Sequence, residues 1–189
     1  AMPGGHFYTQ ANGQPAGASR QGYGVTNEGG VRFWEEFRRL GGVEGVGYPA
    51  SRRFLWNGFV SQVFQKGVFQ WRPERDAVYL VNVFDQISRQ GKDEWLRTVR
   101  ATPEIVDWSE DDGRPWPEVV ARHQQLLEAN AAIKARYFAI RDPATYYGLP
   151  MAPIAELGDA YVLRAQRVTI QQWRVDVPWA KAGEVTIAN

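Results

Sequence analysis

The residues best placed for acid–base chemistry are Asp107-Trp108-Ser109-Glu110-Asp111-Asp112. Two carboxyls roughly 5 to 10 Å apart across a sugar, one with a raised pKa, can hydrolyse a glycosidic bond. Trp108 would give such a site a stacking floor. Clustered acids in a loop that ends in glycine, here Gly113, are otherwise solvated or cap the next helix. The loop also lacks the Asp-x-Asp-x-Asp-Gly spacing of a calcium loop. His6 falls in the N-terminal segment, and His123 on the apolar side of a helical stretch, where a hydrogen-bonded structural role is expected. With no Cys and no Gly-x-Ser-x-Gly, thiolate and elbow-serine nucleophiles are excluded. Two unpaired His make no zinc site, and neither metal nor cofactor is expected. Gly41-Gly42, Gly45 and Gly47 follow a helix, whereas a nucleotide loop needs a strand before it and a helix after, so nucleotide binding is rejected.

Binding chemistry has more material. The 189 residues include eight Trp, eight Tyr and nine Phe. Such rings build an aromatic core or stand out as stacking platforms, for sugars above all. Tyr48, Trp56, Tyr147 and Trp179 are the candidate platforms, with Arg52, Asn57 and Gln62 as polar neighbours. Lys and Arg number 22 against 21 Asp and Glu, without a basic stripe, which argues against a nucleic-acid partner. No apolar run approaches the roughly 18 residues of a membrane span. The absence of Cys leaves the redox compartment open. Ala1-Met2 reads as a cloning remnant, which leaves room for a targeting segment ahead of it, and the chain is expected to continue past Asn189.

These residues need elements to hold them. His6 to Gln10 reads as a short strand, followed by an irregular loop. Trp34, Phe37 and Leu40 share one face of a helix over 31–40, which Gly41-Gly42 ends. Asn57-Gly58 joins strands 54–56 and 59–64 in a hairpin; Lys66-Gly67 turns into a strand at 68–71, and 78–81 is a fourth. The middle is helical: a short helix around Val83, Phe84 and Ile87, one capped by Asp93, and a long amphipathic helix from Pro117 toward Tyr137. Strands at 161–163 and 168–170 then begin a second meander. Two series run in parallel through these elements. Gly47-Tyr48-Pro49, Gln65 to Trp71 and Val78 to Asn82 return as Gly148-Leu149-Pro150, Gln166 to Trp173 and Val185 to Asn189. The pattern predicts an α+β fold of two pseudo-repeats, each a helix plus a small antiparallel β-meander, joined by a helical middle. It is read as a single domain over 1–189, with repeat one at about 31–82, the middle at about 83–130 and repeat two at about 131–189. Trp34, Phe37, Trp71, Val119, Leu127 and Trp173 are the expected core.

The run Phe33-Trp34-Glu35-Glu36-Phe37, Leu40-Gly41-Gly42, Gly45-Val46-Gly47-Tyr48-Pro49 and Gln62 to Trp71 resembles the LGFP-type repeat and related Gly-Tyr-Pro modules of exported bacterial proteins. Residues 31–82 carry the match. Residues 133–175 match loosely, with Asp142-Pro143-Ala144 in place of Leu-Gly-Gly. The resemblance implies a non-catalytic, extracytoplasmic module of the cell envelope, accessory to a larger exported protein and bound to cell-wall polysaccharide or peptidoglycan. Two other readings stand beside it: a small glycoside-type hydrolase centred on 107–112, and a structural spacer or protein-interaction module.

Overall fold

The computed structural model describes residues 2–10 and 22–188. The irregular loop expected after the first strand lies largely outside them. The chain divides into two compact units, 1–81 and 82–189, and its helices and antiparallel sheets make an α+β fold.

In the first unit, β1 (Gly5–Tyr8) pairs antiparallel with β2 (Tyr23–Thr26). Helix α1 (Phe33–Arg39) begins where the Asn27 side chain accepts the N–H groups of Trp34 and Glu35, at 3.0 and 3.1 Å. That side chain meets donors a helix start cannot satisfy itself. Gly41, at φ 90°, ends α1 and admits the short α2 (Gly42–Val46). A meander follows: β3 (Phe54–Trp56), β4 (Phe59–Phe64), β5 (Gly67–Arg72) and β6 (Ala77–Leu80), hydrogen-bonded in that order. Asn57 and Gly58, at φ 51° and 80°, make the tight hairpin turn between β3 and β4. Phe33 and Phe37 pack on Phe69 and Phe64, with ring centroids 5.8 and 5.5 Å apart. Arg53 is half-buried beneath this core, donating to the carbonyls of Thr26, Glu28 and Val31 and stacking over Phe33.

In the second unit, α3 (Val83–Arg89) and α4 (Asp93–Arg100) lead to α5 (Trp116–Gln124). Residues 125–129 tighten into a 3₁₀ turn before α6 (Ala131–Tyr137) and the short α7 (Pro143–Tyr146). The predicted single helix from Pro117 to Tyr137 is thus broken. Asn130 leaves the helical region (φ −150°, ψ 109°), and its side chain caps the N–H groups of Ala132 and Ile133. Asp93 does not cap α4 either; its carboxylate accepts from Ser88 and Arg164. Strands β7 (Ala155–Leu157), β8 (Ala160–Arg164), β9 (Thr169–Trp173) and β10 (Val185–Ala188) form a second four-stranded meander. Leu127, Ile133 and Tyr137 pack there against Leu163, Val168 and Ile170.

The same hydrogen bonds recur in both units, 101 residues apart. Gln65 Oε1 accepts the Tyr48 N–H at 3.0 Å, and Gln166 Oε1 the Leu149 N–H at 3.1 Å. Gln65 N–H reaches the Tyr48 carbonyl as Gln166 N–H reaches that of Leu149, and Lys66 N–H reaches Val46 as Arg167 N–H reaches Tyr147. Ser61 opposes Gln70 where Val162 opposes Gln171. In this register the counterpart of Trp71 is Gln172, one residue from the Trp173 that the letter pattern matches to it. Neither Trp is core. Trp34, Trp71 and Trp173 are all half-buried, whereas Phe37, Val119 and Leu127 are buried as expected. Trp71 faces the Arg32 guanidinium 5.2 Å from its ring centroid.

Candidate functional site

Trp179 is the large aromatic most open to water, 69% exposed. It sits on the 174–184 connection between β9 and β10, whose backbone is closed on itself. Val177 and Ala180 exchange N–H···O bonds of 2.9 and 3.3 Å, and Gly183 N–H returns to the Trp173 carbonyl at 2.7 Å. Asp176 pairs with Lys181 at 2.8 Å and accepts the Ala182 N–H at 3.0 Å, contacts that hold its carboxyl below the usual aspartate range. Trp173 meets Trp179 edge to face, centroids 5.6 Å apart, and its indole N–H donates to Thr186 Oγ1 at 2.9 Å. A ring held out by an ordered loop loses little freedom on binding, which favours contact with a flat apolar surface.

The other sequence-derived candidates divide. In the first unit Tyr48 is half-buried, its ring edge-on to Tyr8 at 5.8 Å within an aromatic cluster with Trp34 and the buried Phe37. Burial, then proximity to Tyr48, push the Tyr8 phenol up. Trp56 is half-buried opposite Phe59, Arg52 is exposed, and Asn57 occupies the hairpin turn. Gln62 is fully buried, on the sheet face opposite Trp56, and its amide donates to the carbonyls of Gly24 and Ser51 at 3.0 and 2.9 Å. Enclosed in this way, it offers no group to a ligand at the surface. In the second unit Tyr147 leans into the Leu127–Ile133–Tyr137 core, 5.9 Å from Tyr137.

In the acidic loop Asp107, Glu110 and Asp112 are exposed, as in a solvated cluster, and Asp111 is drawn inward. Asp111, with its side chain only 13% exposed, binds Arg122 and His123 at 2.7 Å each. His123 is buried; its other ring nitrogen meets the Pro150 carbonyl, and Trp108 stacks on it at 3.6 Å. Trp108 in turn donates to the Met151 carbonyl at 3.0 Å. Glu110 binds Arg122 at 3.0 Å. Asp107 accepts from the Ser109 N–H and hydroxyl, which hold its carboxyl below the usual range. Beneath the second sheet lies a second polar cluster. Arg164, fully buried, donates to Asp93 and to the carbonyls of Phe84 and Pro103. Asp85 accepts from Gln166 at 3.1 Å while its Oδ1 has no partner, and burial pushes its carboxyl up. A cavity of about 300 Å³ opens beside α1, but its charges are mutually paired: Arg32 with Asp76 at 2.9 Å, and Arg39 with Glu36 at 2.6 Å.

Among the described residues no group of three or more His, Asp or Glu could hold a metal ion, and no helix is long and apolar enough to cross a membrane. Compared with known proteins, the chain matches no family model and no curated sequence.

Proposed function

We propose that this chain is a polysaccharide-binding module of an exported bacterial envelope protein, gripping its ligand with aromatic side chains. The observation that carries the reading is Trp179, an indole 69% exposed on a loop closed by its own hydrogen bonds. Exposing a large apolar ring costs free energy in water, and ordering the loop that exposes it costs more. A ligand with an apolar face recovers both. The C–H face of a pyranose ring is such a surface, and Asp176, Lys181 and Glu184 on the same loop carry polar atoms that suit its hydroxyl rim. The resemblance of residues 31–82 to envelope modules supports the same class of ligand and an extracytoplasmic location. The test is retention of the purified chain on insoluble peptidoglycan and cell-wall polysaccharide, with Trp179→Ala beside it. Retention that the folded variant loses supports the reading; a chain that no polymer retains overturns it.

A further inference from the structure

The first unit carries a feature that the Trp179 loop does not use. Strand register sets Phe54 opposite Ser61, Ser61 opposite Gln70, and Gln70 opposite Tyr79. Opposed residues project on one face of a sheet, so a ring stands on each edge strand with two polar side chains between. Exposure follows this profile: Phe54 40% and Tyr79 49%, Ser61 0% and Gln70 5%. The two edge strands lie three strand spacings, about 14 Å, apart, so the row is a shallow trough whose rings rise over a buried polar floor. The next row on the same face holds Trp56, Phe59 and Arg72, whose guanidinium lies 3.8 Å over the Phe59 ring.

Gln70 decides the ligand chemistry. Its amide nitrogen donates to the Trp56 carbonyl at 3.3 Å and to Ser61 Oγ at 3.2 Å. A carbonyl can only accept, which fixes the orientation of the amide. Oε1 is left with no partner among the described residues, in a side chain that is 5% exposed between the two rings. A ligand in the trough must therefore bring a donor for this oxygen and an apolar face for the rings. A purely apolar ligand would bury Oε1 unpaired. A polyanion would meet Arg72 already stacked on Phe59. A peptide strand would join a sheet edge by its backbone and leave the face untouched.

We infer that this trough is a saccharide subsite, with a sugar ring stacked on Tyr79 or Phe54 and a hydroxyl donating to Gln70 Oε1. It rests on the polysaccharide reading for its ligand class, and on residues independent of Trp179. The test compares the full chain with Phe54→Ala/Tyr79→Ala, Gln70→Met and Trp179→Ala on insoluble peptidoglycan, chitin, cellulose and starch. The thermal midpoint of each variant serves as the folding control. The walls are exposed, so the double variant keeps its fold. Loss of a stacking ring or of its hydrogen-bonding neighbour is expected to lower retention at least about tenfold. That loss in the double variant and in Gln70→Met, at unchanged midpoint, is the expected result. Retention within twofold in the double variant, with loss in Trp179→Ala, overturns the trough and leaves the function standing. Loss in the double variant alone supports the trough and overturns the role of Trp179. Unchanged retention in Gln70→Met overturns the hydroxyl contact, and a full chain retained on no polymer overturns both proposals.

Discussion

Asp111 Oδ2 and His123 Nε2 stand 2.7 Å apart, and both side chains are almost wholly removed from water. The second ring nitrogen faces the Pro150 carbonyl, so His123 lies between two acceptors and bridges α5 to the chain that enters the second meander. This is an anchor, with Trp108 stacked on it as a lid. Removing His123 leaves Asp111 with Arg122 alone, and removing Asp111 leaves one ring nitrogen of the buried His123 without its acceptor. His123→Ala is expected to destabilise the second unit by about 3 kcal/mol, measured by urea unfolding. Asp111→Ala should cost a similar amount, and the double variant much less than the sum, because the pair shares one interaction. Additive losses would show that the two side chains act separately.

Gly47 and Gly148 offer a sharper test of the shared turn. Their φ values are 78° and 80°, and an added Cβ would lie 2.6 Å from Gln65 Cβ and 2.5 Å from Gln166 Cβ. The glutamine that accepts the next residue's N–H reaches it only because no side chain intervenes. Gly58 has φ 80° with nothing within 4 Å. Gly58→Ala therefore meets only backbone strain, about 1 kcal/mol. Gly47→Ala and Gly148→Ala add a steric clash and are expected to cost at least about 3 kcal/mol each. Equal losses at all three positions in thermal melts would mean that the glutamine contact contributes nothing.

Much of the fold was legible where a local rule decides it. Asn57-Gly58 specifies a hairpin turn, and the aromatic and β-branched residues of 59–64 favour a strand, so the first meander falls where the sequence places it. The break at Asn130 was hidden because apolar spacing runs on across it, from Leu127 to Ile133, while the cap depends on a single side chain. The offset of Trp71 from Trp173 was hidden for another reason: identical letters were matched, whereas strand register counts positions. The candidate site was less legible. A polar residue in a strand reads as exposed, yet Gln62 and Gln70 are both buried, and only the structure tells which carbonyl each amide meets. Arg164 was the available signal for an inward polar cluster, since it alternates with the apolar Val162 on one face of β8.

Trp71 illustrates the same lesson in energy. A fully buried Trp or Phe truncated to Ala costs about 3 to 5 kcal/mol. Trp71 is half-buried under the Arg32 guanidinium, while Phe37 is 1% exposed. Trp71→Ala should therefore destabilise by less than about 3 kcal/mol, and Phe37→Ala by more. The order of the two unfolding midpoints in urea decides the point. A Trp71 variant as damaged as the Phe37 variant would return the indole to the core.

Asp85 gives the pH dependence. Burial pushes its carboxyl up; Arg164 first, then the Gln166 hydrogen bond, then Arg89 and Arg167 pull it down, and burial prevails. The folded state thus holds the Asp85 proton more tightly than the unfolded chain, whose aspartates titrate near about 3.9. Below that pH the proton is bound in both states, and the contribution of Asp85 to stability is complete. As pH rises from there through the raised folded value, the unfolded chain releases its proton first and the contribution is lost. At neutral pH the carboxylate is therefore a net cost to the fold. Asp85→Asn keeps an acceptor for the Gln166 amide, 3.1 Å away, and carries no charge to desolvate. The variant is expected to be more stable than the parent at pH 7, with the gap closing as pH falls toward 4. Taking the difference between the two proteins at each pH cancels the other titrating groups. A variant less stable at pH 7, with the deficit shrinking on acidification, would mean that the arginines outweigh burial and that Asp85 is held charged.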